Sequence, residues 1–331
     1  MISSVRTRRV LVLAGAAAGL ALVGQAYAGT LTVIPQYVDP LGGSTSVLGL
    51  NNNGQMTGSV TDSAGSHGFV RDAAGNYTLF DYGSTGSTLG RSISDNGTVV
   101  GYSEPAVGGD IHTRREWERA PDGTLTTLVN PNTSAPLAGI AQGINGSGVI
   151  VGDYFTGAGS QIDGFILDGS TFTDLPIPGD NVRARGINDA GEIAGWVSGG
   201  GVTQGFVLNG GVFSFFNAPG AANFTVFEDI NASGLISGEY SDAGGASHGF
   251  IFDSNTATFT DINVPGAINV SAFGLNDAGQ VVLTTFNADS VVTNYLYSPG
   301  GVPEPMTWAL MLTGFFGLGS ALRRQRKLVA A

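Results

Sequence analysis

Through residues 49–300 the chain alternates apolar and polar positions in short runs, each closed by a turn rich in Asn, Asp and Gly. Alternation with a period of two predicts β-strands that bury one face. Runs this short cannot stand alone and must pack against neighbours. The stretch around Asn188 shows the pattern. Strands are predicted at 183–187, 192–197, 204–208 and 212–217, with turns at Asn188-Asp189-Ala190-Gly191 and Asn209-Gly210-Gly211. The glycine closing each turn supplies the positive φ that tight hairpins require.

The pattern is periodic. Ile/Leu-Asn-x-x-Gly recurs at Leu50-Asn51, Ile144-Asn145, Ile187-Asn188, Ile230-Asn231 and Leu275-Asn276, and a sixth copy, Ile93-Ser94, carries serine at the anchor. Successive anchors lie 43, 51, 43, 43 and 45 residues apart. Units of this length holding four strands match propeller blades. The last unit stops before its fourth strand, while Leu31-Thr32-Val33-Ile34-Pro35, ahead of the first unit, resembles the fourth-strand pieces Thr171–Pro176 and Phe259–Ile262. The reading is therefore an all-β, six-bladed β-propeller of four-stranded blades, in which the N-terminal strand completes the last blade and hides two sheet edges. A parallel β-helix is the alternative, although its shorter coils would not favour hairpin turns.

The ends depart from this pattern. Residues 1–28 read as a signal peptide: Arg6, Arg8 and Arg9 precede an apolar run from Val10 to Val23, and Ala26 and Ala28 frame a cleavage site. At the other end, Met306 to Leu322 is an apolar stretch of 17 residues, at the short limit for a membrane helix. It is closed by the basic cluster Arg323, Arg324, Arg326 and Lys327, which should remain cytoplasmic and leave everything upstream outside the inner membrane. The domain map is thus 1–28 signal peptide, 29–302 propeller and 303–331 tail.

Pro303, Glu304, Pro305, Trp308 and Ala309, followed by the apolar helix and the basic tail, resemble the PEP-CTERM sorting signal in its PEPxxWA variant. The resemblance covers about the last 30 residues. It implies export by the secretion machinery, transient anchoring in the inner membrane of a Gram-negative bacterium and cutting near Pro-Glu-Pro by an exosortase. Release to the cell surface or extracellular matrix follows, often alongside exopolysaccharide production. The units themselves, G-I-N-x-x-G-x-I-x-G-x-Y followed by His/Gln/Asp-Gly-Phe and F-T-x-hydrophobic-x-x-P-G, resemble the HAF family of extracellular repeats. That likeness covers nearly all of residues 49–300; it departs in unit two and in the glycine of His-Gly-Phe. It implies a propeller-like extracellular array and nothing about catalysis.

Composition sharpens this picture. The 331 residues include 53 glycines and no cysteine, which excludes a disulfide framework and thiolate chemistry. With both ends removed, seven arginines and no lysine face 25 acids, a charge of about −18 on residues 29–302. Such a surface is soluble and excludes a nucleic-acid binder that works by phosphate neutralisation.

Candidate chemistry is sparse. His67 and His248 sit in matching Ser-His-Gly-Phe tetrapeptides, with Arg115, Asp163, Gln204 and Asn294 read as their counterparts, a variability that points to structure; His112 has no repeat partner. Asp153, Trp196 and Glu239 occupy related places on second strands. Were those places on the channel wall, the two carboxylates would form part of an acidic pore, and paired carboxylates serve glycoside hydrolysis. Asp189 and Asp277, in glycine-bounded turns, offer oxygen ligands to calcium, the sole cofactor expectation, but lack a dedicated loop spacing. Unit two concentrates Arg114, Arg115, Trp117 and Arg119, a basic–aromatic spot suited to an anionic or sugar partner; Trp117 also aligns with Phe69, a core aromatic. No catalytic residue is assigned. The expectation is a non-enzymatic surface or biofilm-matrix protein that binds or scaffolds extracellular polysaccharide. The alternatives are a hydrolase or lyase acting on that polymer and a calcium-dependent adhesin.

Overall fold

In the computed structural model of the protein, residues 29–38, 43–83, 87–104, 111–130, 135–156, 161–175 and 181–300 are described. The expected signal peptide with Ala26 and Ala28, and the expected sorting tail with its motif, apolar stretch and basic cluster, lie outside them. The described chain folds into six sheets of four strands, neighbouring strands antiparallel within each. Blade 1 holds Ser44–Leu50, Met56–Thr61, Ser66–Arg71 and Tyr77–Phe80, and blade 2 holds Ser87–Ile93, Val99–Glu104, Arg115–Arg119 and Leu125–Thr127. Blade 3 is built of Gly139–Ile144, Ile150–Phe155, Ile162–Asp168 and Thr171–Leu175, and blade 4 of Asn181–Ile187, Ile193–Gly199, Val202–Asn209 and Val212–Phe216. Thr225–Ile230, Leu235–Ser241, Ser247–Asp253 and Thr258–Asp261 make blade 5. Asn269–Leu275, Val281–Phe286 and Val292–Ser298 make three strands of blade 6.

The fourth strand of blade 6 is Thr30–Val33, paired antiparallel from Thr30↔Ser298 to Val33↔Tyr295. The ring therefore closes by joining its two ends in one sheet, as the repeat count predicts. Among the described residues, the long interval between the second and third anchors holds no seventh blade. Its described excess is a 3-10 turn, Ile111–Thr113, and a two-residue ladder, Val129–Asn130 with Ala135–Pro136.

Hydrophobic clusters lie between successive blades, each joining residues of adjacent sheets. Phe69, Trp117, Phe165, Phe206 and Phe250 are fully buried at one place on the third strands. Each packs onto a second-strand glycine: a Cβ at Gly195 would lie 2.8 Å from the Phe206 ring and 2.2 Å from Arg183 O. Glycine there is a demand of space. Ladder pairing also corrects one alignment. Thr293, opposite Thr285, is the counterpart of His248 opposite Tyr240, and Asn294 instead fills the glycine place of His-Gly-Phe. Asn294 is 1% exposed and its Nδ2 donates to Thr45 O at 2.6 Å, so it ties blade 6 to blade 1.

The anchor asparagine has two tasks. Asn188 Oδ1 accepts the backbone N–H groups of Ala190 and Glu192 at 3.1 and 3.0 Å, which shapes the turn. Its Nδ2 donates to Asn231 O of the next blade at 3.1 Å. The same interblade bond links Asn51 to Ser94, Asn145 to Asn188, Asn231 to Asn276 and Asn276 back to Asn51. Ser94 is too short to pass the chain on, and its hydroxyl turns to Asn96 Oδ1 and Thr98 O. The repeat's most regular residue thus belts the blades together around the axis.

Candidate functional site

The innermost strand of every blade contains a register shift just before the anchor turn: 47/49, 90/92, 141/143, 184/186, 227/229 and 272/275. A bulge of this kind re-aims a side chain. The residue three before each anchor is displaced from the ladder, and Leu48, Arg91, Gln142, Arg185, Glu228 and Phe273 together line a constriction of the axial channel. Glycine follows in four blades because the next blade's backbone comes close. A Cβ at Gly186 would stand 2.7 Å from Asp229 Cα.

Charges in this ring answer one another. Glu228 Oε2 accepts Arg185 Nε at 2.9 Å and also Arg185 Nη2, while Arg91 Nη2 reaches it across the channel at 3.4 Å. Arg91 Nε donates to Gln142 Oε1 at 2.8 Å, and Gln142 Nε2 donates to Asp153 Oδ2 at 2.8 Å. Arg183 Nη1 completes the Asp153 pairing at 2.7 Å, and its guanidinium lies 5.1 Å over the Trp196 ring. A continuous relay thus crosses blades 2 to 5, whereas blades 1 and 6 contribute the apolar Leu48 and Phe273. The constriction retains only about 10 Å³, close to the room one water centre needs.

Burial sets the protonation of this region. It lowers Arg91 to about 10, aided by the Arg185 charge and opposed by Glu228, so the guanidinium stays charged at neutral pH. Asp229 takes the place of the bulge glycine, and its carboxylate accepts Leu275 N and Ile230 N at 2.9 Å each. Burial nevertheless pushes it up to about 7. Glu239 is raised by burial, with the Ser271 hydroxyl drawing it back. Glu116 stands in blade 2 where blades 1, 3, 4 and 5 have the glycine of His-Gly-Phe and blade 6 has Asn294. It is fully buried, and burial followed by the Asp153 charge raises it well above the carboxylate range. Neither of its carboxyl oxygens has a hydrogen-bond partner among the described residues.

At one mouth of the channel the anchor turns form a polar depression of about 80 Å³. Asp95, Asp189 and Asp277, from alternate blades, accept backbone N–H groups of Asn52, Gly146 and Ala232 at 2.8, 2.7 and 2.9 Å. Asp277 also accepts Asn52 Nδ2 at 2.8 Å. The two proposed calcium ligands, Asp189 and Asp277, are therefore placed as fasteners between blades. Among the described residues no group of three His, Asp or Glu side chains is disposed to hold a metal ion.

The other sequence candidates separate in space. Asp153 is 2% exposed and engaged by Arg183 and Gln142, while Glu239 lies two blades on, beside Ser271. The four residues of the basic–aromatic spot do not share a surface. Trp117 is wholly buried, edge-on to Phe80 at 5.4 Å. Arg114 pairs with Glu104 at 2.7 Å and lies over Tyr102, whereas Arg119, at the far end of the strand, lies over Phe80. Arg115 Nη1 turns back to Arg114 O. Each histidine of the Ser-His-Gly-Phe pair is held by acids of its own blade, His67 by Asp81 at 2.7 Å and Asp62 at 3.6 Å, and His248 by Asp242 at 2.9 Å. Sequence reasoning missed the channel ring itself. Its signal was present: the place three before the anchor is the one that varies within an otherwise regular motif.

No family model matches the chain, and no curated protein matches it. Solved structures do. TolB from Acinetobacter baumannii is similar at 13% identity and a TM-score of 0.53, over 74% of this chain and 63% of that one, so the chain spans less than two thirds of that protein. A candidate gluconolactonase is similar at 12% identity and a TM-score of 0.50, over 82% and 92%. The Aleuria aurantia lectin in complex with Fucα1-6GlcNAc overlaps at 11% identity and a TM-score of 0.47, over 81% and 97%. At these identities the first two likenesses establish the propeller fold alone.

Proposed function

We propose that the protein is an exported component of the exterior of a Gram-negative bacterium, cut from its membrane tail by an exosortase, whose propeller binds or scaffolds matrix polysaccharide without turning it over. The address comes from the two ends of the sequence. The observation that carries the non-catalytic reading is the Arg185–Glu228–Arg91 bridge. It spends the channel's central carboxylate on two guanidinium groups. Glycoside hydrolysis needs two carboxylates held apart about a sugar, one protonated and one ionised, and Asp153, the other carboxylate of the relay, is consumed by Arg183 in the same way. A rigid ring of blades with an acidic exterior fits a load-bearing or docking part better than a chamber for chemistry.

The test uses protein recovered from the culture medium and the exopolysaccharide of its own host. Co-sedimentation with the polymer, without release of reducing or unsaturated sugar ends, is the expected result. Release of such ends, abolished by Glu228→Gln, would instead make the channel an active site.

A further inference from the structure

The outermost strand of blade 4 differs from the outer strands of the other blades. Open strand edges are blunted by charge, shortness or cover, and five blades show one of these or a polar alternation. Tyr77 of blade 1 donates to Pro35 O at 2.7 Å, and its ring lies 5.6 Å from that of Tyr37, so the N-terminal segment covers this edge. Blade 2 ends in a strand of three residues. The outer strands of blades 3 and 5 carry Asp174 and Asp261. That of blade 6 is four residues long and alternates Thr30 and Thr32 with Leu31 and Val33, so that Val33, 55% exposed, stands as a single exposed apolar side chain rather than an aromatic row.

Blade 4 ends in Val212-Phe213-Ser214-Phe215-Phe216, five residues without charge, proline or glycine. Val212 is 66% exposed and Phe215 46%. The Phe213 and Phe215 rings stack at 6.0 Å with planes 5° apart, and Phe213 rests on buried Phe206, so this aromatic row is held in place. Charge marks the same place. Residues 193–227, which include three strands of blade 4, form the longest run of the chain without a charged side chain. On a body of about −18, two copies repel each other over most of their surface and least at this window.

We propose that blade 4 is a self-association edge, at which the outer strands of two copies pair antiparallel about a twofold axis through Ser214. Val212 of one copy then faces Phe216 of the other, and Phe213 faces Phe215, joining two four-stranded blades into one eight-stranded sheet. An isologous pairing of this kind closes at the dimer. Cross-strand aromatic pairs supply its contacts. The inference does not depend on export or on polysaccharide binding.

Sedimentation velocity on the mature protein, across concentrations of ~1–100 μM at ~0.15 M and then higher salt, reads it directly. A reversible dimer is expected, tighter at high salt because screening removes the repulsion between acidic bodies. Val212→Lys should weaken it, and Val212→Lys with Phe215→Lys should weaken it at least tenfold. Val212 is mostly exposed, so its single variant keeps the fold, which circular dichroism checks. Amides 212–216 should gain hydrogen-exchange protection as concentration rises. A monomeric mass throughout that range, or a dimer that both variants leave intact, overturns the proposal. So does protection of those amides that arises only when a different protein is added.

Discussion

Asn188 shows how one side chain can define both a turn and an assembly. It holds two backbone donors of its own hairpin and one carbonyl of the next blade, all in a buried place. Asn188→Ala leaves those groups unpaired, and at about 1 kcal/mol for each bond the expected loss is ~2–3 kcal/mol, read from urea unfolding. His67 offers a second measurement at this scale. Burial alone would lower its pKa, but the hydrogen bond to Asp81 and the charges of Asp81 and Asp62 outweigh that and raise it above 6.5. The pairing then contributes its full stability below about 6.5 and loses it as pH rises through the folded value. Titration by NMR should find the His67 ring above 6.5, and Asp81→Asn should bring it down. A value unmoved by that substitution would contradict the account.

At the scale of elements, hairpins and their order were legible because period-two alternation and Asn-x-x-Gly turns are local signals. Strands at Ile193–Gly199 and Val202–Asn209 fall within two residues of their expected ends. Closure was legible too, since an unfinished last unit and a spare first strand imply each other. The bulges were not, because they arise from the approach of the neighbouring blade's backbone. Hence the channel ring, with Arg91, Arg185 and Glu228, escaped a reading that followed the regular positions and passed over the variable one. The basic–aromatic spot failed for a related reason: neighbours in sequence on a strand point to opposite faces or opposite ends, and Trp117 went to the core. The second-strand glycine of blades 1 to 5 tests the packing account. Gly195→Ala places a methyl group 2.2 Å from Arg183 O. Such overpacking against backbone should cost ~3 kcal/mol or more, visible as a lower urea midpoint.

At the scale of the whole molecule, the ring is belted by anchor asparagines and shut at its centre by the Glu228 bridge. That leaves the acidic rim and the blade edges as the surfaces offered to partners. Fold does not choose among the functions propellers serve, and the proposed export rests on the two ends of the chain. The decisive measurement is terminal-peptide mass analysis of the protein from envelope, medium and matrix fractions, in host cells with and without the exosortase. The account predicts an extracellular form that begins near Gly29 and ends near Pro303, present only when the exosortase is. A chain intact through Ala331 in the membranes of both strains would contradict it.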